Sequence, residues 1–355
     1  MTTLTKPRFL FLSLRRNILP IFFCLFVLFL LLFSQSNLAA AKNGLLLWAN
    51  NVIPSLLPFF IATELLSYTN VVNKVGELFN WCMRPLFNVP GCGAYALIMG
   101  MISGYPVGAK IVTRFREENM CTKEEGERLL SFTNNSGPLF IIGTVGISLF
   151  GNTLIGFLLF ITHILAGLTT GFCFRFWKLH STNTTKHVVN TSVHTKKTVA
   201  TFSNLGEVIS KSIMSSIQTI VMIGRFVVLF SVILSILAKS HILGLFSNML
   251  QPIFQLFGVS NIQFPCGFLS GILELTNGIS LIAQIPIKNI SFSIIICAFL
   301  LGFGGISILL QVFSITSKSD VSIKPYIIGK FMQGIFAAFY TYIFIYCFPI
   351  FNLNL

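Results

Sequence analysis

The sequence predicts an all-α polytopic membrane protein made of two inverted repeats, with about seven membrane spans and two re-entrant helical hairpins. Composition is the first observation behind this prediction, because 54% of the residues are hydrophobic and only 10% are charged. The second is a series of apolar segments bounded by basic residues. The third is a group of helix-breaking and small polar residues that occurs twice. Each repeat is expected to contain an interfacial helix, one hairpin and flanking transmembrane helices.

The repeat is visible as six identities at one fixed spacing of 167 positions, with a weaker continuation at Gly137 and Gly304. Interrupted hydrophobic segments at corresponding positions of two halves are typical of a transporter binding site. The six pairs are Pro85 and Pro252, Phe87 and Phe254, Gly91 and Gly258, Gly100 and Gly267, Ser103 and Ser270, and Gly104 and Gly271.

Residues 1–43 are predicted to form an N-terminal transmembrane helix that acts as a signal-anchor. Arg15 and Arg16 precede the apolar run 18–33, which places the amino terminus in the cytoplasm. The small residues at 39–41 leave a cleavable signal peptide as the alternative. In both cases residue 43 is expected on the outer side.

The first repeat is predicted to occupy residues 44–177. It opens with a span over 44–66, in which Pro54 and Pro58 predict a kink or an unwound turn near the middle. Residues 70–88 are too polar to cross hydrocarbon, so we expect them to lie along the membrane surface.

A cytoplasmic linker is predicted at 178–210, followed by the second repeat at 211–355. The linker is rich in Thr, Ser, Asn and Lys, a composition typical of disorder. Its basic residues, with Lys318 and Lys324, mark the cytoplasmic side. Five further spans are predicted at 129–150, 153–174, 212–237, 294–316 and 327–348.

Two interrupted apolar segments do not fit as crossings. With the orientation above, residues 68 and 114 are both cytoplasmic, so 93–112 must enter and leave on that side. By the same count, 264–286 must enter and leave from outside. The two hairpins therefore point at each other from opposite faces, the arrangement that supports alternating access.

Several classes of function are disfavoured. The formal net charge of +14 would suggest nucleic acid in a soluble protein, but here the basic residues flank hydrophobic segments, so no nucleic-acid partner is expected. Asp320 is the only Asp, and neither HExxH nor GxSxG occurs, so we expect no enzyme. No metal site or cofactor is implied.

The first hairpin carries a candidate substrate site at Ser103, Gly104, Tyr105 and Lys110. Irregular backbone at membrane depth is stable only where it faces protein or a wet cavity. A half-helix that begins at the turn offers unpaired N–H groups to an anion, and Lys110 would add a full positive charge. The alternative is a helix-packing site of small residues, with Lys110 reaching to the cytoplasmic surface.

The run Asn134, Asn135, Ser136, Gly137 interrupts the next predicted span and is followed by Pro138. Two adjacent carboxamides in hydrocarbon are costly unless they are hydrogen-bonded. Substrate or ion coordination is one explanation, and hydrogen bonding between helices is the other.

The second hairpin offers Glu274, Thr276 and Asn277, of which Asn277 corresponds to Lys110 at the spacing of 167. A carboxyl group within an apolar segment is a candidate proton carrier or cation ligand, so Glu274 is assigned to ion or proton coupling, and Thr276 and Asn277 to substrate binding. The alternative for Glu274 is an ion pair with Arg225, which also lies in an apolar stretch.

Three segments resemble the YlbJ (SpoVV) sporulation integral membrane proteins of endospore-forming bacteria, and the similarity runs from about residue 44 to the end. These proteins carry the nucleoside-recognition, or Gate, domain, which is similar to the cores of concentrative nucleoside transporters. The three segments are VIPSLLPFF at 52–60, SGYPVGAK at 103–110 and ERLLSFTNNSGPLF at 127–140.

The resemblance implies transport of dipicolinate, a planar dianion, from the mother cell across the outer forespore membrane. Helix ends and Lys110 would suit its carboxylates, Asn134 and Asn135 would donate hydrogen bonds, and Tyr105 would form an aromatic wall. One alternative is a nucleoside-like solute coupled to H⁺ or Na⁺. A different class is a non-transporting membrane scaffold for spore envelope assembly. The expected location is the cell membrane of an endospore-forming bacterium.

Overall fold

The computed structural model describes residues 6–178, 200–285 and 290–347, and every regular element in these ranges is a helix. The first half contains α1 (Lys6–Leu32), α2 (Ser34–Leu47), the π-helical turn π1 (Trp48–Val52), α3 (Ile53–Leu66), α4 (Val71–Phe87), α5 (Gly93–Ser103), α6 (Val107–Glu117), α7 (Lys123–Thr133), the π-helical segment π2 (Leu139–Leu149) and α8 (Thr153–Phe174). The second half contains α9 (Leu205–Lys239), α10 (Ile242–Leu256), α11 (Gln263–Leu273), α12 (Leu275–Gln284), α13 (Ile290–Phe303), α14 (Gly305–Thr316) and α15 (Lys324–Cys347).

Four helical segments in the described ranges are long and apolar enough to cross a membrane, and α1 with α2 makes a fifth if that bent pair is one span. About seven spans were expected from the sequence. Two of these expected spans are therefore not formed by a single helix of sufficient length. The span 44–66 is divided by π1, and the span 129–150 is divided by the non-helical residues 134–137. Pro138 has no N–H to donate, which favours a helix break at this point.

The amino-terminal boundaries also differ from the expectation. The axes of 17–32 and 34–50 meet at 96°, and α2 continues through the small residues 39–41 instead of ending there. Helix α9 begins at Leu205, inside the stretch 178–210 assigned to the linker. The greater part of that stretch, 179–199, lies outside the described residues.

The predicted interfacial helix corresponds to α4. Leu78 and Trp81 on this helix are 65% and 76% exposed, whereas Met83 and Phe87 are buried in the core. The helix ends at Asn88, whose φ of 54° is left-handed. In the second half α10 follows the same pattern, with Phe254 buried and Met249 exposed. Two amphipathic helices of this kind suit a boundary between protein and lipid headgroups.

Both interrupted segments fold as antiparallel helix pairs. In the pair α5–α6, a Cβ on Gly100 would lie 3.2 Å from the Gly108 Cα, and the rings of Tyr95 and Phe115 are 6.5 Å apart. In the pair α11–α12, a Cβ on Gly278 would lie 2.0 Å from the Gly271 Cα. Glycine therefore allows close contact within each pair.

The sequence spacing of 167 positions between the two halves is kept at the helix breaks but not at the hairpin turns. Gly137 and Gly304 both lie at helix breaks, as the spacing predicts. Gly104 ends α5, but its counterpart Gly271 lies inside α11, three positions before the turn at Glu274.

The charged segment 114–128 is joined to the ends of α8 and α14. Glu127 is fully buried. Its Oε2 accepts a hydrogen bond from Trp177 Nε1 at 2.7 Å and forms an ion pair with Lys178 Nζ at 2.9 Å. Its Oε1 accepts from the Ser322 backbone N–H at 3.3 Å. Arg116 donates to Asp320 at 2.8 Å, and this hydrogen bond lowers the pKa of the Asp320 carboxyl group.

Substituting Glu127→Ala is expected to lower the melting temperature of the purified protein. The Trp177 and Ser322 N–H groups would lose their acceptor, at a cost of about 2 kcal/mol. Thermal unfolding followed by size-exclusion chromatography measures this change. Glu124→Ala, in the first turn of the same helix α7, is the control, and equal melting temperatures for the two variants would contradict the expectation.

Candidate functional site

The two hairpin turns, the helix break at 134–137 and helix α14, which follows the second break, meet around one cavity of about 120 Å³. Its polar and small residues come from these four segments and from π2, and its apolar wall comes from α2, π1, α3, π2, α9, α12 and α14. The polar and small lining residues are Gly104, Tyr105, Ser136, Gly137, Thr144, Glu274, Thr276, Ser307 and Gln311. The apolar lining residues are Leu47, Val52, Leu56, Phe140, Ile223, Val227, Leu275 and Ile308.

The residues predicted from the sequence fall into two groups. Six of them line this cavity together: Gly104, Tyr105, Ser136, Gly137, Glu274 and Thr276. Five do not contribute to its lining: Ser103, Lys110, Asn134, Asn135 and Asn277.

The turn of the first hairpin lies against both helix breaks. Gly104 has a φ of 81°, and a Cβ at this position would lie 2.9 Å from the Gly137 nitrogen. Tyr105 crosses to the second half, where its hydroxyl donates to the Leu301 carbonyl at 3.3 Å. A movement of this turn would therefore change the contacts of both breaks.

Glu274 caps the amino terminus of α12 from inside the cavity. Its Oε1 accepts from Thr276 N at 3.2 Å and its Oε2 accepts from Asn277 N at 2.8 Å. Arg225 is exposed, and the ion pairs among the described residues do not join it to Glu274. The positive end of the α12 dipole thus faces a carboxyl group of the protein itself.

Asn134 and Asn135 form hydrogen bonds between helices, which is the alternative to substrate coordination that the sequence left open for them. Asn134 Oδ1 accepts from the Ala109 N–H at 3.3 Å, so it caps α6 from the neighbouring segment, and its Nδ2 donates to the Tyr326 hydroxyl at 2.8 Å. Asn135 Nδ2 donates to the Phe132 carbonyl at 2.7 Å, and its Oδ1 accepts from Gln333 Nε2 at 2.7 Å. Both carboxamides hold the break in position.

Lys110 lies in a separate polar cluster between α3, α6 and α9. Its Nζ donates to Glu64 at 3.3 Å, Ser215 at 2.7 Å and Thr219 at 3.2 Å. Arg114 forms a second ion pair with Glu64 at 2.8 Å. Ser103 is also on this side of the hairpin, since its hydroxyl is 3.2 Å from that of Thr63.

Sequence reasoning missed a group of buried polar residues on α15. Lys330 and Gln333 are completely buried, and Nζ donates to the Gln333 Oε1 at 2.7 Å and to the Asn134 carbonyl at 3.0 Å. Lys330 lies three residues inside the predicted span 327–348, where a lysine is readily attributed to the membrane boundary. The sequence signal for this group was the helical spacing of its members. One buried face of α15 carries Tyr326, Lys330, Gln333, Ala337 and Thr341.

Comparisons with known proteins agree with this architecture. The family described as nucleoside recognition, or Gate, matches residues 49–176 and 220–319, two blocks that each contain one hairpin and one helix break. The sporulation integral membrane protein YlbJ of Bacillus subtilis (strain 168) is 38% identical over 321 residues, which cover 86% of this chain and 77% of that protein. No solved structure matches the chain. The chain is therefore an integral membrane protein of the nucleoside-recognition (Gate) family, related to the sporulation protein YlbJ.

Proposed function

We propose that the protein is a secondary transporter that moves a small organic anion, dipicolinate, from the mother cell across the outer forespore membrane by alternating access. The observation that carries this proposal is the meeting of the two hairpin turns, the break at 134–137 and the start of α14 around one cavity. Discontinuous helices at a shared site are the usual construction of a transporter binding site. The sporulation context comes from the related protein.

Inverted topology is part of the proposal, and the direction of corresponding helices supports it. A Cβ on Gly44 would lie 2.7 Å from the Ser231 hydroxyl, while the Tyr68 carbonyl accepts from Ala200 N at 2.9 Å. The segment 44–66 and α9 therefore run antiparallel to each other. We infer that α5–α6 and α11–α12 are re-entrant hairpins that enter from opposite membrane faces.

The lining of the cavity suits a planar anion with an aromatic ring. Phe140, Ile223 and Val227 offer apolar contact to the ring. Ser136 and Thr276 contribute hydroxyl-bearing side chains to the lining, which in this proposal donate to carboxylate oxygens, and Tyr105 forms an aromatic wall. In this proposal the asparagines and Lys110 hold the hairpin in place, and Glu274 is the group that couples transport to H⁺ or Na⁺.

A nucleoside-like solute is the second candidate, because the matching family is described as nucleoside recognition. Its base is also planar and would contact the same apolar wall. The two candidates differ in charge, since the nucleoside lacks the two carboxylates of dipicolinate.

Uptake by proteoliposomes separates these functions. Labelled dipicolinate is offered to vesicles containing the purified protein, with unlabelled dipicolinate or uridine as competitor. We expect saturable uptake that dipicolinate inhibits and uridine does not. In a parallel assay with labelled uridine, saturable uptake of uridine and not of dipicolinate would favour the nucleoside, and absence of uptake of either solute would favour the scaffold. In a deletion strain, dipicolinate is expected to remain in the mother cell.

Cysteine labelling tests the hairpin topology. Asn70→Cys and Glu117→Cys are at exposed positions before and after α5–α6, and Lys239→Cys is at the far end of α9. A membrane-impermeant maleimide is expected to label 70 and 117 from the same side and 239 from the opposite side, each compared with the parent protein. Labelling of 70 and 117 from opposite sides would show that the segment between them crosses the membrane.

A further inference from the structure

Lys330 is a lysine without an acidic partner in the interior of the protein. It is completely buried, and its two hydrogen-bond acceptors, the Asn134 carbonyl and the Gln333 Oε1, are neutral. Lys110 pairs with Glu64, whereas none of the ion pairs among the described residues includes Lys330. A charged group in a membrane interior is costly and typically marks the path of a substrate or ion.

The position of Lys330 relates it to the cavity. Its Nζ is 4.9 Å from the centroid of the Tyr105 ring. Tyr105 itself lines the cavity, so this ring separates the ammonium group from the space where a solute would bind. A cation over the face of an aromatic ring is stabilised by the ring quadrupole, although less than by a carboxylate.

Tyr105 belongs to a turn, whereas Lys330 is held by a continuous helix. The ring lies at the turn between α5 and α6, and its hydroxyl donates to the Leu301 carbonyl. Lys330 lies within α15, between Tyr326, whose hydroxyl accepts from Asn134, and Gln333, whose Oε1 accepts from Lys330. A displacement of the first turn would uncover Lys330 to the cavity without moving the lysine.

We propose that Lys330 is the cation that pairs with a carboxylate of the transported anion, and that Tyr105 covers it when no anion is bound. This assignment deepens the proposed function and depends on the solute being an anion. Lys330 lies on α15, beyond the two blocks that the family matches. Charge pairing here would select dicarboxylates over neutral rings of similar size.

Binding of three probes to the detergent-solubilised protein tests the assignment: dipicolinate with two carboxylates, picolinate with one, and pyridine with none. Isothermal titration calorimetry gives the dissociation constants. Lys330→Met is expected to weaken dipicolinate binding at least about tenfold, the change typical of losing one charge-assisted hydrogen bond, and to leave pyridine binding unchanged. Lys324→Met, an exposed lysine on the same helix, is the control and should bind like the wild type.

Two variants at Gln333 keep the lysine, and they test the pairing of Lys330 with a carboxylate if Lys330→Met does not fold. Gln333→Glu places a carboxylate beside Nζ, where the amide oxygen is now 2.7 Å away, and so gives Lys330 an internal counter-ion. Gln333→Met removes the same amide without adding charge. We expect Gln333→Glu to weaken dipicolinate binding at least about tenfold more than Gln333→Met.

The outcomes separate this inference from the proposed function. Unchanged dipicolinate binding in Lys330→Met, equal weakening of dipicolinate and pyridine, or equal effects of the two Gln333 variants would overturn the role of Lys330. If the wild type binds no dipicolinate, the proposed substrate is wrong, and acetate and benzoate become the probes. Binding of either that depends on Lys330 would then support the cation site, and absence of any carboxylate binding would overturn it.

Discussion

Gly278→Ala is expected to destabilise the protein by about 3 kcal/mol or more, the upper range for overpacking of a well-packed interior. A Cβ at this position would lie 2.0 Å from the Gly271 Cα and 2.1 Å from the Gly271 nitrogen. Both are backbone atoms of the facing helix, so no change of rotamer relieves the contact. The two helices of the second hairpin would have to separate, and the turn that carries Glu274 would move with them.

The measurement is thermal unfolding of the purified protein, with the yield of monodisperse protein as a second readout. Gly244→Ala is the matched control, because it also replaces a glycine within a helix and its Cβ would meet nothing within 4 Å. That control should match or exceed wild-type stability, since alanine is the better helix former. Wild-type stability of Gly278→Ala would show that α11 and α12 do not approach this closely.

The first hairpin offers the corresponding test on the other half of the molecule. A Cβ on Gly100 would lie 1.8 Å from the Thr133 carbonyl oxygen, at the end of α7 just before the break. The same contact therefore fixes the first turn to the first break. We expect Gly100→Ala to be as destabilising as Gly278→Ala if the two hairpins have the same packing role.

Glu274→Gln is expected to reduce dipicolinate accumulation at least about tenfold, the change that corresponds to 1.4 kcal/mol. Glu274 is the acidic residue in the cavity lining, and a glutamine of the same size cannot take up or release a proton. Exchange of labelled for unlabelled dipicolinate needs no net ion movement, so it should continue. Proteoliposomes with an imposed pH or Na⁺ gradient measure accumulation, and preloaded vesicles without a gradient measure exchange.

Accumulation and exchange together distinguish a role of Glu274 in ion coupling from its role as the cap of α12. Loss of accumulation with retained exchange would support Glu274 as the coupling group. Loss of both would indicate that the variant disturbs the α12 amino terminus, where the carboxylate now accepts two backbone hydrogen bonds. Full accumulation would exclude Glu274 from coupling. Glu207→Gln, an exposed carboxylate on α9, is the control for the loss of a negative charge.

Local sequence predicted the interruptions well, because helix breaking is a property of single residues. Gly104 and Pro106 lie at the turn between α5 and α6, and the run beginning at Asn134 lies between α7 and π2. Proline removes a backbone donor and glycine permits a φ that other residues avoid, whatever the fold around them. A separate amphipathic helix at α4 was also predictable, since residues 70–88 are too polar for a membrane span.

Side-chain partners could not be predicted in the same way. Lys110 and Lys330 are both lysines beside apolar sequence, yet one pairs with Glu64 on α3 and the other has only neutral acceptors. The partners of Lys330 on other segments are nearly two hundred positions away in the chain. Burial and hydrogen bonding depend on which helices become neighbours, and a local pattern does not contain that information.

The sequence by itself determined that this protein is a helical membrane protein with interrupted segments in both halves, because hydrophobicity and helix breaking act on each segment separately. Only the tertiary structure decided which polar groups face the cavity. It brought Glu274 and Tyr105 to the lining, turned Asn134 and Asn135 into links between helices, and buried Lys330 behind the Tyr105 ring. The physical reason is that a buried polar group is positioned by the partners that satisfy it, and those partners come from distant parts of the chain.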